Sequence, residues 1–165
     1  MNKLIVVVPL LLLAAMSRTV AAGVADLTRV SLESTTSQVR QSMSVKHGVK
    51  LSSETSNRLQ FAGGAFGGSK VKSWDFEFKN GKLTRVTVLF VVRQGSNARG
   101  YEANQDFAEM TRALEKQNGK PKLSHGPTYE ESSWRLSNPR QTIKLLHGWT
   151  AGVKGSSRIE LTFSR

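Results

Sequence analysis

The segment Lys70–Val92, KVKSWDFEFKNGKLTRVTVLFVV, constrains the fold most, because its pattern fits a long β-hairpin and little else. Trp74, Phe76 and Phe78 alternate with Ser73, Asp75 and Glu77, the two-residue period of a half-buried strand. Asn80-Gly81 follows, and both residues tolerate the positive φ of a tight turn. Leu83–Val92 is then β-branched and apolar, with Thr84, Arg85 and Thr87 interleaved. Two registers compete. A two-residue loop pairs Lys79 with Lys82 and sets Phe76 against Arg85. A three-residue loop, with a bulge at Gly81, pairs Trp74 with Val86 and Asp75 with Arg85. The second is expected, because it gathers Trp74, Phe76, Phe78, Val86, Val88 and Phe90 on one face and keeps two lysines apart.

Residues 1–22 read as an export signal. Lys3 precedes an apolar run from Leu4 to Met16, broken only by Pro9, and Val20-Ala21-Ala22 supplies small residues for cleavage. The run is too short for a membrane anchor, which needs roughly 20 residues. Residues 23–165 are then one α+β domain, with no further stretch able to span a membrane, and a periplasmic or secreted location is expected. The chain has no cysteine, which excludes a disulfide framework, a lipid-modified N-terminal cysteine and thiolate metal sites. Packing alone must hold the core.

Charge narrows the partner. The chain carries 24 Lys and Arg against 12 Asp and Glu, a formal net charge of +12. The basic residues are dispersed, so they fit either attraction to an anionic partner or a solubilising surface. An anionic envelope component or an acidic protein is the expected partner. Nucleic acid is disfavoured, because an exported protein seldom meets it and no aromatic platform accompanies the charges.

Thr35-Thr36-Ser37-Gln38 has the form of a capping box opening a short helix, with Val39 and Met43 on one face and Gly48 as its stop. Val24–Leu32 before it reads as a lead-in, and Ser52–Asn57 after it as a polar loop. Arg58–Phe61 fits a short strand. Gly63–Lys70 lacks the Gly-Lys-Ser/Thr ending of a phosphate loop and precedes a hairpin, so it reads as a flexible connection with Phe66 at its tip. Arg93–Gly100 is a polar loop. Glu102–Gln117 is the best helix: Ala103, Phe107, Met110 and Leu114 form one apolar stripe, and Asn118-Gly119 stops it. Three strands follow, at Ser133–Leu136, Thr142–His147 and Arg158–Phe163, with a turn at Ser137–Arg140. The expectation is an antiparallel sheet of about six strands, in one piece or two subsheets, with helices on one face. The order helix-plus-three-strands occurs twice, dividing the domain into a pseudo-repeat, 23–95 and 96–165.

The segment Thr35–Val92, with a short helix, a loop and then W-x-F-x-F-x-N-G-K-L-x-x-V, resembles the small outer-membrane assembly lipoprotein family (SmpA/OmlA-like) and the related tandem β-lactamase-inhibitor fold. The chain departs from the family in lacking the lipid-anchor cysteine. The resemblance implies a cell-envelope binding module without catalysis and transfers no functional residue.

Catalytic signals are sparse. His47, His125 and His147 lack ligand-like spacing and read as ordinary surface or turn histidines, so no metal or cofactor is expected. Asp75 and Glu77 share a strand face and offer a carboxylate pair. Glu130-Glu131 reads as solvated, and no serine sits in a Gly-x-Ser-x-Gly elbow. Trp149 follows a glycine near a strand end, where an indole is either core or partly exposed. The chain therefore reads as an exported, non-catalytic envelope binding or accessory module, inhibitor-like or assembly-factor-like. The alternatives are a hydrolase of an envelope polymer, centred on Asp75 and Glu77 or on His147, and a polyanion-binding protein. Candidate binding residues are Phe66, Arg135, Lys144, Trp149 and Arg158, the three basic ones forming a stripe if their strands are neighbours. N-terminal sequencing of the exported protein should find a start near Gly23; an intact Met1 would overturn the assignment of residues 1–22.

Overall fold

The computed structural model describes residues 30–93, 101–137 and 140–165. Residues 1–22, read above as an export signal, most of the expected lead-in Val24–Leu32, most of the expected Arg93–Gly100 loop and the expected Asn138-Pro139 turn lie outside the described residues. The elements run α1 (Thr36–Ser44), β1 (Val49–Thr55), β2 (Arg58–Gly63), β3 (Ala65–Phe66), β4 (Ser69–Lys79), β5 (Lys82–Phe90), α2 (Tyr101–Asn118), β6 (Lys122–Gly126), β7 (Tyr129–Ser137), β8 (Arg140–Gly148) and β9 (Arg158–Ser164). The strands form one antiparallel sheet in the order β1-β2-β4-β5-β9-β8-β7-β6, with β3 paired to β4. The class is α+β, as expected, but the described residues hold nine strands rather than six.

The additional strands are β1, β3 and β6. β1 and β6 are the sheet's two edges, and every residue of β1 after Val49 is exposed. In β6 only Gly126 is not fully exposed. An edge strand without a buried face carries no alternating apolar pattern, which is why Ser52–Asn57 reads as loop.

The hairpin combines features of both registers. Asn80 (φ 52°) and Gly81 (φ 72°) form a two-residue turn, and Lys79 does pair with Lys82. A bulge then places Thr84 as the extra residue, its Oγ1 donating to the Glu77 carbonyl at 3.1 Å. Beyond it Phe76 faces Val86 and Trp74 faces Val88, so the expected apolar face is kept by the bulge instead of by a three-residue loop. Asp75 pairs with Thr87 rather than Arg85.

Both helices cover the same face. The buried residues of β2, β4, β5, β7, β8 and β9 form one cluster with Val39 and Met43 of α1 and Leu114 of α2. The Thr35–Gln38 capping box opens α1 as expected: Gln38 N–H donates to Thr35 Oγ1 at 3.4 Å, and Thr35 N–H donates to Gln38 Oε1 at 2.8 Å. Two indoles anchor the layers. Trp74 Nε1 donates to the Gly63 carbonyl at 2.9 Å, and Trp134 Nε1 donates to the Gly119 carbonyl at 2.7 Å, just past α2.

Phe66 is a correction. A two-residue Gly67-Gly68 turn pairs Phe66 with Ser69, and this β3–β4 ladder turns the ring inward. It is 7% exposed and packs edge-on against Trp74 at 6.0 Å and Phe163 at 6.5 Å. Phe76, fully buried and edge-on to Phe61, should cost about 3–5 kcal/mol when changed to alanine, read by chemical denaturation. Phe107 is only half-buried against this core, so Phe107→Ala should cost visibly less.

Candidate functional site

The sheet face turned away from the helices presents the side chains that alternate with the core. Antiparallel register arranges them in rows across the strands. One row reads Arg58, Glu77, Arg85, Ser164, Thr142, Arg135 from β2 to β7. The next reads Gln60, Asp75, Thr87, Thr162, Lys144, Ser133 and, on β6, Lys122. A third reads Ser73, Leu89, Glu160, Leu146, Glu131, Ser124. A fourth exists only on the β6–β9 half: Arg158, Gly148, Tyr129, Gly126.

The two halves of this face pair their carboxylates differently. On the β2–β5 half each carboxylate meets an arginine. Arg58 Nε donates to Asp75 Oδ1 at 2.7 Å and its Nη2 donates to Oδ2, a two-pronged pair. The hydrogen bonds that Arg58 donates to Asp75, followed by the Asp75 charge, raise the Arg58 pKa further above its already high value. Arg85 Nη1 lies 3.5 Å from Glu77 Oε2. The expected Asp75–Arg85 pair is therefore replaced by two separate pairs, because the two-residue turn and the bulge together shift the pairing by two residues and set Arg85 opposite Glu77.

On the β6–β9 half, Lys144 Nζ lies 3.4 Å from Glu131, so Glu131 is not simply solvated. Among the described residues, Arg135, Arg158 and Lys122 make no side-chain ion pair. A shallow depression of about 540 Å³ is bordered by Ser124, Tyr129, Glu131, Trp149, Thr150 and Arg158. A second, of about 450 Å³, is bordered by Lys122, Ser133, Arg135, Thr142 and Lys144, and shares Ser124 and Glu131 with the first.

Strands β7, β8 and β9 are neighbours, as the basic stripe requires. The stripe itself is not continuous. Arg135, Lys144 and Arg158 occupy three different rows, and the row of Glu131 and Glu160 separates Lys144 from Arg158. The structure thus groups Arg158 with Trp149 and Arg135 with Lys144, while Phe66 lies on the opposite, covered face.

Beneath this half, the covered face is unusually polar. His147 is fully buried, contrary to its reading as a surface histidine. Its ring lies 5.9 Å from Phe107 and 5.1 Å from Trp149, with Glu130 Oε2 4.0 Å from Nδ1. Ser132, also fully buried, shares a hydrogen bond with Thr111 at 3.3 Å. These polar inward positions hide the first half of β7 from a search for apolar alternation. Tyr129 is overlooked for that reason, although Tyr129, Glu131, Ser133 and Arg135 do alternate.

Two glycines shape the fourth row. A Cβ on Gly126 would lie 2.4 Å from the Tyr129 ring, and one on Gly148 would lie 3.3 Å from Arg158 Nε. The phenol ring is thus laid over the Gly126 backbone and the guanidinium over Gly148. No protein-family model, curated protein or solved structure matches the chain. Among the described residues, no group of three His, Asp or Glu side chains is placed to hold a metal ion, and no helix is long and apolar enough to cross a membrane. The Gly126 Hα protons should be shifted upfield by the Tyr129 ring current, and Tyr129→Leu should return them to ordinary values in an NMR spectrum.

Proposed function

We propose that residues 23–165 form an exported, non-catalytic binding or accessory module of the cell envelope, inhibitor-like or assembly-factor-like, that receives an anionic partner on the β6–β9 half of its open sheet face. The observation that carries this reading is the basic content of that half of the open face. Helices cover the other face, and here Lys122, Arg135, Lys144 and Arg158 stand against Glu131 and Glu160, with Lys144 alone of the four ion-paired among the described residues. The apolar run of residues 4–16 supports export, and the resemblance of Thr35–Val92 to small outer-membrane assembly lipoproteins supports the envelope setting. The strand order, symmetric about the β5–β9 pair, supports reading the chain as two helix-plus-strand units, 23–95 and 96–165. The hydrolase alternative has no comparable support. Asp75 and Glu77 are each tied to an arginine, and His147 is buried under α2.

Binding driven by these charges is screened beyond about 8 Å at physiological salt, so it should weaken as salt rises. An Arg135→Ala/Lys144→Ala/Arg158→Ala variant should bind anionic vesicles, acidic wall polymer or an acidic protein from the envelope roughly tenfold more weakly than the parent, about 1.4 kcal/mol. Equal binding by both proteins, or binding indifferent to salt, would reduce these charges to a solvated surface.

A further inference from the structure

We propose that the row Gly126–Tyr129–Gly148–Arg158 is a binding site for an acidic saccharide unit, a sugar ring carrying an anionic substituent. This inference rests on the reading of the open face as anion-binding and adds the class of ligand.

The row spans four consecutive strands, with glycine alternating with a long side chain. Glycine in a strand costs about 0.5–1 kcal/mol relative to alanine and marks places where another group must approach the backbone closely. Here the approaching groups are the Tyr129 ring and the Arg158 guanidinium, and both lean toward the β6 edge. Tyr129 remains 37% exposed. An aromatic ring laid on a sheet offers a flat apolar surface with a polar tip, which suits the C–H face of a sugar ring.

Arg158 supplies the charge. Glu131, the carboxylate in the same depression, is engaged by Lys144. Glu160, two residues along the same face of β9, accepts a hydrogen bond from Thr162 at 3.3 Å. Arg158 has no described ion pair, and a guanidinium binds an oxyanion through two parallel N–H donors. The remaining polar groups at the rim are hydroxyls. Ser124, Thr128 and Thr150 border the depression, whereas Ser156 is occupied in holding the 149–157 loop, accepting from Thr150 N–H at 2.8 Å and donating to the Val153 carbonyl at 2.8 Å. The Trp149 N–H ties that loop to the Thr128 carbonyl at 3.0 Å, so the wall is fixed by backbone bonds.

Size and continuity favour a saccharide chain over a small ion. The depression of about 540 Å³ falls within the usual range of ligand sites, about 300–1,000 Å³. Across Ser124 and Glu131 it opens into the second depression, where Lys122, Arg135 and Lys144 await the next anionic units.

The test is calorimetric titration of the mature protein with trigalacturonate, a sulfated heparin tetrasaccharide and neutral maltotriose. Tryptophan fluorescence is followed in parallel, because Trp149 is half-buried whereas Trp74 and Trp134 are 0% and 3% exposed. Saturable binding of either acidic sugar should change the fluorescence, and the arm that responds distinguishes carboxylate from sulfate. Arg158→Gln and Tyr129→Leu should each weaken binding at least about tenfold, Tyr129→Phe should keep most of it, and Lys79→Ala, at the exposed hairpin turn on the other half of the sheet, should change it by less than about threefold. Both altered side chains are exposed, so unchanged melting temperatures verify the fold. Maltotriose binding as tightly as the acidic sugars would overturn the proposal. So would full binding by Tyr129→Leu together with equal losses in Arg158→Gln and Lys79→Ala, which would leave only diffuse attraction to a basic surface. If no sugar binds but vesicles or acidic proteins still distinguish the triple variant, the saccharide site falls and the open-face reading stands. If nothing anionic binds, both fall.

Discussion

The pairing of β5 with β9 is the interaction on which the remainder depends. It joins the strand set β1-β2-β4-β5 to the set β9-β8-β7-β6 and aligns Val86 with Phe163 and Val88 with Leu161. Those alignments make the two apolar faces one continuous surface for α1 and α2. Without cysteines, no covalent link substitutes for it. Each set alone would end in an unpaired strand with an apolar face, Leu83, Val86, Val88 and Phe90 on β5 and Ile159, Leu161 and Phe163 on β9, the kind of edge that recruits other chains.

One-sided cover then decides what the rest of the surface can do. Every strand from β2 to β9 that contributes to the core must send its alternate residues to solvent. On the β2–β5 half the carboxylates of that exposed set are tied up in the Arg58–Asp75 and Arg85–Glu77 pairs. On the β6–β9 half Glu131 is held by Lys144, and two glycines lower the surface around a ring and a guanidinium. The covered face beneath that half includes the buried polar residues His147 and Ser132. The two halves therefore share an architecture without sharing chemistry.

Legibility in the sequence follows burial. The Lys70–Val92 hairpin, the capping box at Thr35 and the stripe of α2 declare themselves because one face of each is apolar and the other polar. β1 and β6 do not, since exposure on both faces erases the period. The hairpin's register is decided by a bulge at Thr84, a backbone event that side-chain matching alone does not reveal. Of the candidate site, Arg135, Lys144, Trp149 and Arg158 are visible as charge and as an isolated indole. Tyr129, Gly126 and Gly148 are not, because their role comes from alignment across strands distant in sequence. Phe66 misleads for the reverse reason: four surrounding glycines look like a free loop, while the β3–β4 ladder binds it down.

The same palindromic strand order sets a sequence of events for a chain emerging from a ribosome. β5 is synthesised before α2, β6, β7 and β8, yet its partner on the far side is β9. Until β9 arrives, β5 must wait with one ladder unmade and its neighbours' aromatic side chains only partly covered. Pairings between strands so far apart in sequence close slowly, and the waiting state is open to aggregation. A holding factor that delays folding until β9 has emerged would keep that central seam from closing on the wrong strand.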